Sequence, residues 1–293
     1  MVTTLEPTRW GQHTIEWGGH TYVMGIVNVT SDSFSGDGLM REAQSDEERV
    51  QRAVMQAQAF VREGATFIDV GGESTRPGAP AITAREELAR VLPVLRVLRA
   101  TLPDETILSI DTYKAEVAAA ALEAGASMVN DVWAMRRDPE MASVVKRYGV
   151  PVVLMANMRG SQRYEIVSDV VRFLARSIDN ALEAGIAWSH LLLDPGIGFG
   201  TTPEENLVLL RRLGELRALG RPLLLGTSRK STIGRVLGGL PASERVEGTA
   251  ATVALGIAQG ADIVRVHDVH EMMRVVKMSD AIVRGTFTLS NNP

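Results

Sequence analysis

Two carboxylates and a lysine stand where a flat, nitrogen-rich ring could be held. Asp111 and Asp194 each follow directly on an apolar run, Ile107 to Ile110 and Leu191 to Leu193, and Lys230 closes the polar string Thr227-Ser228-Arg229-Lys230. Ionised carboxylates accept from amino and ring N–H groups, while an ammonium donates to a ring carbonyl. A second pattern suggests an anion. Arg265 and His267 are separated by one residue, so on an extended segment their side chains face the same side. With Asn28 and the opening of the following helix they would form an anion pocket. The plainer alternative is a surface arginine beside a capping histidine. A lone aspartate at a strand end is commonly a helix N-cap, and that is the role predicted for Asp131 and Asp268.

Other patterns exclude chemistry. Gly196-Ile197-Gly198-Phe199-Gly200 looks like a nucleotide fingerprint, but Thr201 stands where the third glycine of the dinucleotide pattern belongs, and no phosphate loop ending in Gly-Lys is present. These glycines are read instead as letting backbone bend tightly beneath a ligand, with Phe199 as an apolar wall. His267 and His270 have no third imidazole or thiolate at a recognised spacing, so no structural zinc site is expected. The chain contains no Cys, which removes disulfides, thiolate metal sites and a cysteine nucleophile. Lys and Arg number 31 against 35 Asp and Glu, a net charge of −4 without the positive surplus that phosphate neutralisation needs, so no nucleic-acid partner is expected. No apolar stretch reaches the roughly 18 residues of a membrane helix, and MVTTLEPTRW lacks a basic segment followed by an apolar run; a cytoplasmic protein with no membrane partner is expected.

The elements that must position these residues alternate regularly. Eight runs rich in Val, Ile and Leu, at Tyr22 to Val27, Thr66 to Val70, Ile107 to Ile110, Ser127 to Val129, Val152 to Met155, Leu191 to Leu193, Leu223 to Leu225 and Ile263 to Val266, suit strands buried on both faces. Between them Glu47 to Glu63, Arg85 to Ala100, Lys114 to Ala124, Pro139 to Tyr148, Glu165 to Ala184, Pro203 to Leu219, Glu244 to Gln259 and Val269 to Val283 carry helical periodicity. Gly64, Gly125, Gly149, Gly185, Gly220 and Gly260 stand where helices should end. The pattern predicts an α/β fold, a (β/α)8 TIM barrel, over about residues 22–285, with a doubly wound open sheet as the alternative. Residues 1–21 would form an N-terminal extension whose hairpin, turning at Gly18-Gly19 between Thr14 to Trp17 and His20 to Met24, closes the barrel bottom. All 293 residues are read as one domain. In such a barrel the site lies at the C-terminal ends of the strands, and every predicted strand ends in, or is followed by, a hydrogen-bonding residue: Asn28, Asp69, Asp111, Asn130, Asn157, Asp194, Ser228 with Lys230, and Arg265 with His267.

Seven segments in order complete the reading. Met24-Gly-Ile-Val-Asn28-Val-Thr30-Ser-Asp32-Ser33-Phe34-Ser35, Asp69-Val-Gly-Gly-Glu-Ser-Thr75-Arg76-Pro77-Gly78, Ser109-Ile-Asp111-Thr, Asn130-Asp131, Leu192-Leu-Asp194-Pro-Gly-Ile-Gly-Phe199-Gly, Gly226-Thr-Ser228-Arg-Lys230-Ser and Arg265-Val-His267-Asp268-Val together resemble the dihydropteroate synthase family from Tyr22 to about Arg284. The resemblance implies a transferase of folate synthesis that condenses 6-hydroxymethyl-7,8-dihydropterin diphosphate with 4-aminobenzoate, releasing pyrophosphate, with Mg2+ accompanying the diphosphate. It implies small-molecule partners, a homodimer and a sulfonamide target. Residue by residue, it makes Asp111, Asn130, Met155, Asp194, Phe199, Gly226 and Lys230 the pterin pocket. Asn28, Thr75, Arg76, Arg265 and His267 would hold the diphosphate, Asn28 also meeting the metal. Phe34, Thr75, Pro77 and Ser228 would receive the aminobenzoate. The residues it makes catalytic are Asp111, Lys230, Asn28, Arg265 and His267.

Departure of the diphosphate before attack would leave a cation delocalised over the pterin, so opposite charges must be stabilised side by side and no nucleophilic side chain is needed. A carboxylate about 4 Å from that cation contributes up to roughly 4 kcal/mol at an effective dielectric of about 20. Asp111 is the residue predicted to supply it. The chain departs from the family pattern at Ser31, usually proline, at Ser35-Gly36-Asp37-Gly38, and at Ala156, where histidine is frequent. Two alternatives share the same pocket: a pterin-binding paralogue impaired in condensation, and a methyltetrahydrofolate-dependent methyltransferase. The latter has no diphosphate to occupy Arg265 and His267.

Overall fold

The computed structural model describes residues 5–30, 45–75 and 79–287. Phe34, Arg76 and Pro77 lie outside them, as do Ser31 and the Ser35–Gly38 departure.

Eight short apolar segments form strands because each is buried on both faces. They are β3 (Tyr22–Asn28), β4 (Phe67–Gly71), β5 (Ile107–Asp111), β6 (Met128–Asp131), β7 (Val152–Met155), β8 (Leu191–Asp194), β9 (Leu224–Leu225) and β10 (Ile263–Val266). From β3 to β8 each strand pairs in parallel with the next, and β10 pairs with both β3 and β9. A parallel bridge between Leu193 and Leu223, with the Leu193 N–H donating to Pro222 O at 2.9 Å, closes the circle. Closure decides between the two predicted topologies: the sheet is a (β/α)8 barrel, and an open sheet would have left two free edges.

Each strand is followed by a helix. These are α1 (Asp46–Arg62), α2 (Ala84–Thr101), α3 (Ala115–Glu123), α4 (Met141–Tyr148), α5 (Ile166–Glu183), α6 (Pro203–Arg211), α7 (Ser231–Val236), α8 (Val246–Ala258) and α9 (Val269–Val283). Local chemistry sets their ends. Thr83 with Glu86 and Thr202 with Glu205 form reciprocal capping boxes at α2 and α6, and Pro203 opens α6. The six glycines predicted to end helices all have positive φ. Among the described residues no helix is long and apolar enough to cross a membrane.

The structure departs from the sequence reading in four places. The predicted helix over 203–219 stops at Arg211 and continues as a 3-10 segment, Leu213–Leu219, where Gly214 lowers helix propensity and donates its N–H to Gln259. The short α7 escapes a periodicity search because six residues make fewer than two turns. Pro139 precedes its helix by two residues instead of opening it. The N-terminal hairpin is also elsewhere: β1 (Thr8–Trp10) pairs antiparallel with β2 (His13–Ile15) around Gly11, which has a φ of 49°. The Gly18-Gly19 turn cannot pair with Tyr22 onward, because β3 is already bonded to β4 on one side and β10 on the other. The hairpin does lie at the barrel bottom. Thr8 Oγ1 donates to Ser189 O just before β8, and Trp17 packs edge-on against Tyr22, which meets Phe67 in the same way.

Candidate active site

Burying charge without a partner is costly, so the carboxylates that end barrel strands should be found paired. Arg265 of β10 supplies the partner. Its Nε donates to Asp69 Oδ2 at 2.6 Å and its Nη2 to Asp111 Oδ2 at 2.7 Å. Asn130 Nδ2 donates to the same Asp69 oxygen at 2.9 Å. The strand registers make this possible: Asp69 stands beside Ser109 on β5, and Asp111 beside Asn130 on β6. Asp69 is fully buried. The sequence reading placed it at a strand end but gave it no part in the site. The signal was present, since a carboxylate within Phe67-Ile-Asp-Val-Gly71 must find a cation inside the barrel.

Asp111 sits above this pair, and burial pushes its carboxyl up to about 7 against the pull of Arg265, with Asp69 adding to the rise. Its second oxygen, like that of Asp69, has no hydrogen-bond partner among the described residues. Asp194 is fixed by the Gly196 N–H, which donates to its Oδ1 at 2.7 Å, and burial pushes it up to about 6. Lys230 carries the opposite shift: burial lowers it to about 8, although Asp194 favours its charged form. Its Nζ lies 4.3 Å from the centre of the Phe199 ring, and the Arg159 guanidinium lies 5.0 Å from the same centre. Phe199 is therefore more than an apolar wall; it carries two cations on its π system.

The loop carrying Phe199 is bent as the glycine spacing predicted. A Cβ on Gly196 would come within 2.0 Å of the Ala156 carbonyl oxygen, and one on Gly200 within 2.3 Å of the Arg159 nitrogen. Any side chain at either position would push this loop off the Ala156–Arg159 segment. Ala156 is fully buried and its N–H donates to Asp194 O at 2.9 Å, so the backbone at this departure from the family pattern supports the Asp194 strand.

A cavity of about 430 Å³ opens above these groups. Asp111, Phe199, Gly226, Lys230 and Arg265 line it, together with Asn28, Thr75, Ser228 and His267. Asn130, Met155 and Asp194 are buried. Asn130 acts through Asp69. Asp194 lies against Gly226, where a Cβ would meet its Oδ2 at 3.8 Å, and Met155 stands beside it in register on β7. Ser228 Oγ lies 3.1 Å from the His267 N–H and 2.9 Å from its Nδ1.

Ser228 and Lys230 flank Arg229, which has a φ of 56°, an unusual conformation for a side chain of this size. Three neighbours hold the turn: Thr249 Oγ1 accepts from the Arg229 N–H, Arg245 Nη1 donates to its carbonyl at 2.8 Å, and Asp268 takes its guanidinium through both oxygens. This replaces the cap predicted for Asp268, which stands at the N-cap position of α9 but makes no capping hydrogen bond. Asp131 is not a helix cap either. It accepts from the N–H groups of Trp133 and Met135, both at 2.8 Å, and so holds the left-handed residues Ala134 and Met135, ten residues ahead of α4.

Among the described residues no three His, Asp or Glu side chains are grouped to hold a metal ion. His270 points to Glu63, 3.9 Å away. The cavity instead offers the single neutral amide of Asn28. The arrangement as a whole brings carboxylates, an ammonium, a guanidinium, an amide, hydroxyls and an imidazole to one cavity. It can offer hydrogen bonds to a polar heterocycle and positive charge to an anion.

Residues 24–267 match the family of pterin binding enzymes. The chain is 47% identical over 263 residues to dihydropteroate synthase of Bacillus subtilis, an alignment that covers 90% of this chain and 89% of that protein. It is similar to the crystal structure of the Clostridium difficile dihydropteroate synthase in the presence of pteroic acid, with a TM-score of 0.85 and 47% identity, covering 92% of this chain and 99% of that one. The Xanthomonas albilineans dihydropteroate synthase with 4-aminobenzoic acid matches with a TM-score of 0.84 and 42% identity, over 92% of this chain and 95% of that one. Matched over nearly its whole length at these identities, the chain belongs to the pterin binding enzymes and, within them, to the dihydropteroate synthase family.

Proposed function

We propose that this chain joins 6-hydroxymethyl-7,8-dihydropterin diphosphate to 4-aminobenzoate, with loss of diphosphate before the amine attacks. One observation carries the reading: a single guanidinium, Arg265, bridges Asp69 and Asp111 in a cavity that Asn28, Thr75, Ser228 and His267 also line. With both carboxylates charged, the cluster of Asp69, Asp111 and Arg265 would bear one net negative charge. That charge faces the ring where positive charge develops. Asp194 and Asp111 accept from ring and amino N–H groups, and Lys230 donates to the ring carbonyl. His267 and Arg265 receive the departing anion, and the Phe199 ring keeps water from the cation, so that the amine captures it. The arylamine loses its proton to the departing diphosphate or to solvent after the C–N bond forms.

Magnesium fits this donor set. A small, reluctantly dehydrated cation takes one or two protein oxygens and completes its shell with water and phosphate, which suits the lone amide of Asn28 better than a carboxylate cage would. When bound, it would offset the diphosphate charge. A homodimer is supported by the apolar residues left exposed on adjoining α8 and α9, Leu255, Met278, Ile282 and Val283. A cytoplasmic location agrees with a chain that uses no disulfide.

The test is an assay containing pterin diphosphate, 4-aminobenzoate and magnesium that follows both products. Pyrophosphate and dihydropteroate should form in equal amounts and only when all three are present. Pterin binding without either product would instead identify a binding-only paralogue.

A further inference from the structure

A second ionic cluster lies outside the pterin floor and is not used by the chemistry above. Lys114, at the start of α3, places its ammonium between Glu73, in the loop after β4, and Glu87, in the first turn of α2. Glu87 is almost completely buried, whereas Glu73 and Lys114 are partly buried. Tyr113 donates its hydroxyl to both Glu73 oxygens, at 3.1 and 3.3 Å. Two carboxylates therefore share one cation, and loss of that cation would strand the charge of the buried Glu87.

The cluster is joined to the active site through Glu73, which lines the same cavity as Asp111 and Thr75. The backbone around it is tethered on both sides. Arg90 Nη1 donates to Gly72 O at 2.9 Å, and Arg159 Nη2 to Thr75 O at 2.7 Å. Gly72 itself lies so close to α2 that a Cβ there would meet Val91 Cγ1 at 2.8 Å and Glu87 Cγ at 2.9 Å. Four side chains tether this segment, and two of them, Tyr113 and Lys114, reach it from the connection that follows Asp111; of these two only Lys114 also holds Glu87 and so ties the segment to α2.

We propose that Lys114 is a positioning residue for the aminobenzoate side of the site, its ammonium holding the Gly72–Thr75 segment in place against Asp111 by bridging Glu73 to Glu87. The inference rests on the function proposed above, together with the aminobenzoate role that the family resemblance implies for Thr75. Its alternative is a purely structural role, in which Lys114 ties α2 to α3 and any loss is a loss of stability.

Lys114→Met alone would leave Glu87 buried and uncompensated, so the test pairs it with Glu87→Gln, which removes the stranded charge. Expected for Lys114→Met/Glu87→Gln is a KM for 4-aminobenzoate raised about tenfold, with kcat changed less than about threefold and the dissociation constant of the diphosphate-free pterin within about twofold. Lys114→Arg should recover most of the KM. Unchanged KM, or KM and pterin affinity lost in parallel, would overturn the proposal. Amide hydrogen exchange provides a readout independent of turnover: residues 72–75 should exchange about tenfold faster in the double variant, and equal protection would overturn the inference. A wild-type enzyme that forms no product would overturn the proposed function alone, while the exchange comparison would still decide the role of Lys114.

Discussion

The floor of the cavity and its loop side are held in different ways. Floor residues come from strands: Asp69 on β4, Asp111 on β5, Asn130 on β6, Asp194 on β8 and Arg265 on β10, each placed by a ladder of backbone hydrogen bonds. The loop side comes from connections, Gly72–Thr75 and Ser228–Lys230, held by ionic and backbone clamps that reach across the molecule from α2, α3, α8 and the start of α9. A site on strands gains precision from the scaffold, whereas a site on loops must bring its own braces. Damage to the floor should therefore abolish chemistry, and damage to a brace should chiefly loosen one substrate.

The largest effect is expected at Arg265. From the sequence, Arg265→Ala should weaken only the diphosphate substrate. The structure changes that expectation, because removal of the guanidinium leaves Asp69 and Asp111 facing each other without their shared cation. Breaking a buried pair costs about 3–5 kcal/mol. The variant should lose affinity for pterin with and without its diphosphate and should melt earlier. Calorimetry with both ligands checks this, and full retention of affinity for the bare pterin would show that the floor does not depend on Arg265.

Next comes Asp111→Asn, which keeps the shape and one acceptor but removes charge. If the carboxylate stabilises the developing cation by up to about 4 kcal/mol, kcat should fall on the order of a thousandfold while pterin affinity changes far less. Equal losses in kcat and affinity would reduce Asp111 to a binding group.

Much of the floor was legible because a strand buried on both faces reads as an unbroken apolar run, so a polar residue at its end stands out. Asp111, Asp194 and Arg265 stand out in that way. Asp69 interrupts such a run, but its meaning depends on a partner 196 positions away. The braces were not legible at all: Lys114 lies 41 residues from Glu73 and 27 from Glu87, and Arg229 lies 39 from Asp268, with no periodicity linking either set. The hairpin was misplaced for a related reason. A Gly-Gly pair is a strong local turn signal, but local signals do not reveal that β3 has no free edge left to pair with.

The floor should also reveal itself through pH. Asp111 and Asp194, raised to about 7 and about 6, must be ionised to accept from the ring, so kcat/KM for the pterin substrate should fall as pH drops below about 7. Lys230, lowered to about 8, loses its proton above that value, so kcat/KM should fall again on the alkaline side. A narrow bell between these limits is expected, falling about tenfold per unit on the alkaline limb and between about pH 7 and 6, and about a hundredfold per unit below about 6, where both carboxyls are protonated. Stability should move the other way on the acid side. A carboxyl raised in the folded state binds protons more tightly there than when unfolded, so its contribution to stability is lost as pH rises from about 4 through the raised value. Asp194→Asn retains the Oδ1 that accepts from Gly196 and should melt above wild type at pH 7.5, by at most about 3 kcal/mol, with the gap closing toward pH 4. A flat activity profile between pH 5 and 9 would show that these groups do not titrate in the free enzyme.

The smallest effect is expected at the brace on the turn. Asp268→Asn retains a hydrogen-bond acceptor for Arg229 but loses the charge that meets its guanidinium, while Thr249 and Arg245 continue to hold the backbone. A partly buried charge-assisted bond reduced to a neutral one loses about 1 kcal/mol. Because Ser228 precedes and Lys230 follows the strained residue, relaxation of the turn should shift Ser228 away from His267 before it moves Lys230, whose ammonium is also held over Phe199. The expected outcome is a KM for 4-aminobenzoate raised about three- to fivefold at nearly constant kcat and pterin affinity. If pterin affinity falls instead, the turn acts through Lys230, and the division between a rigid floor and a braced loop side does not hold at this corner of the site.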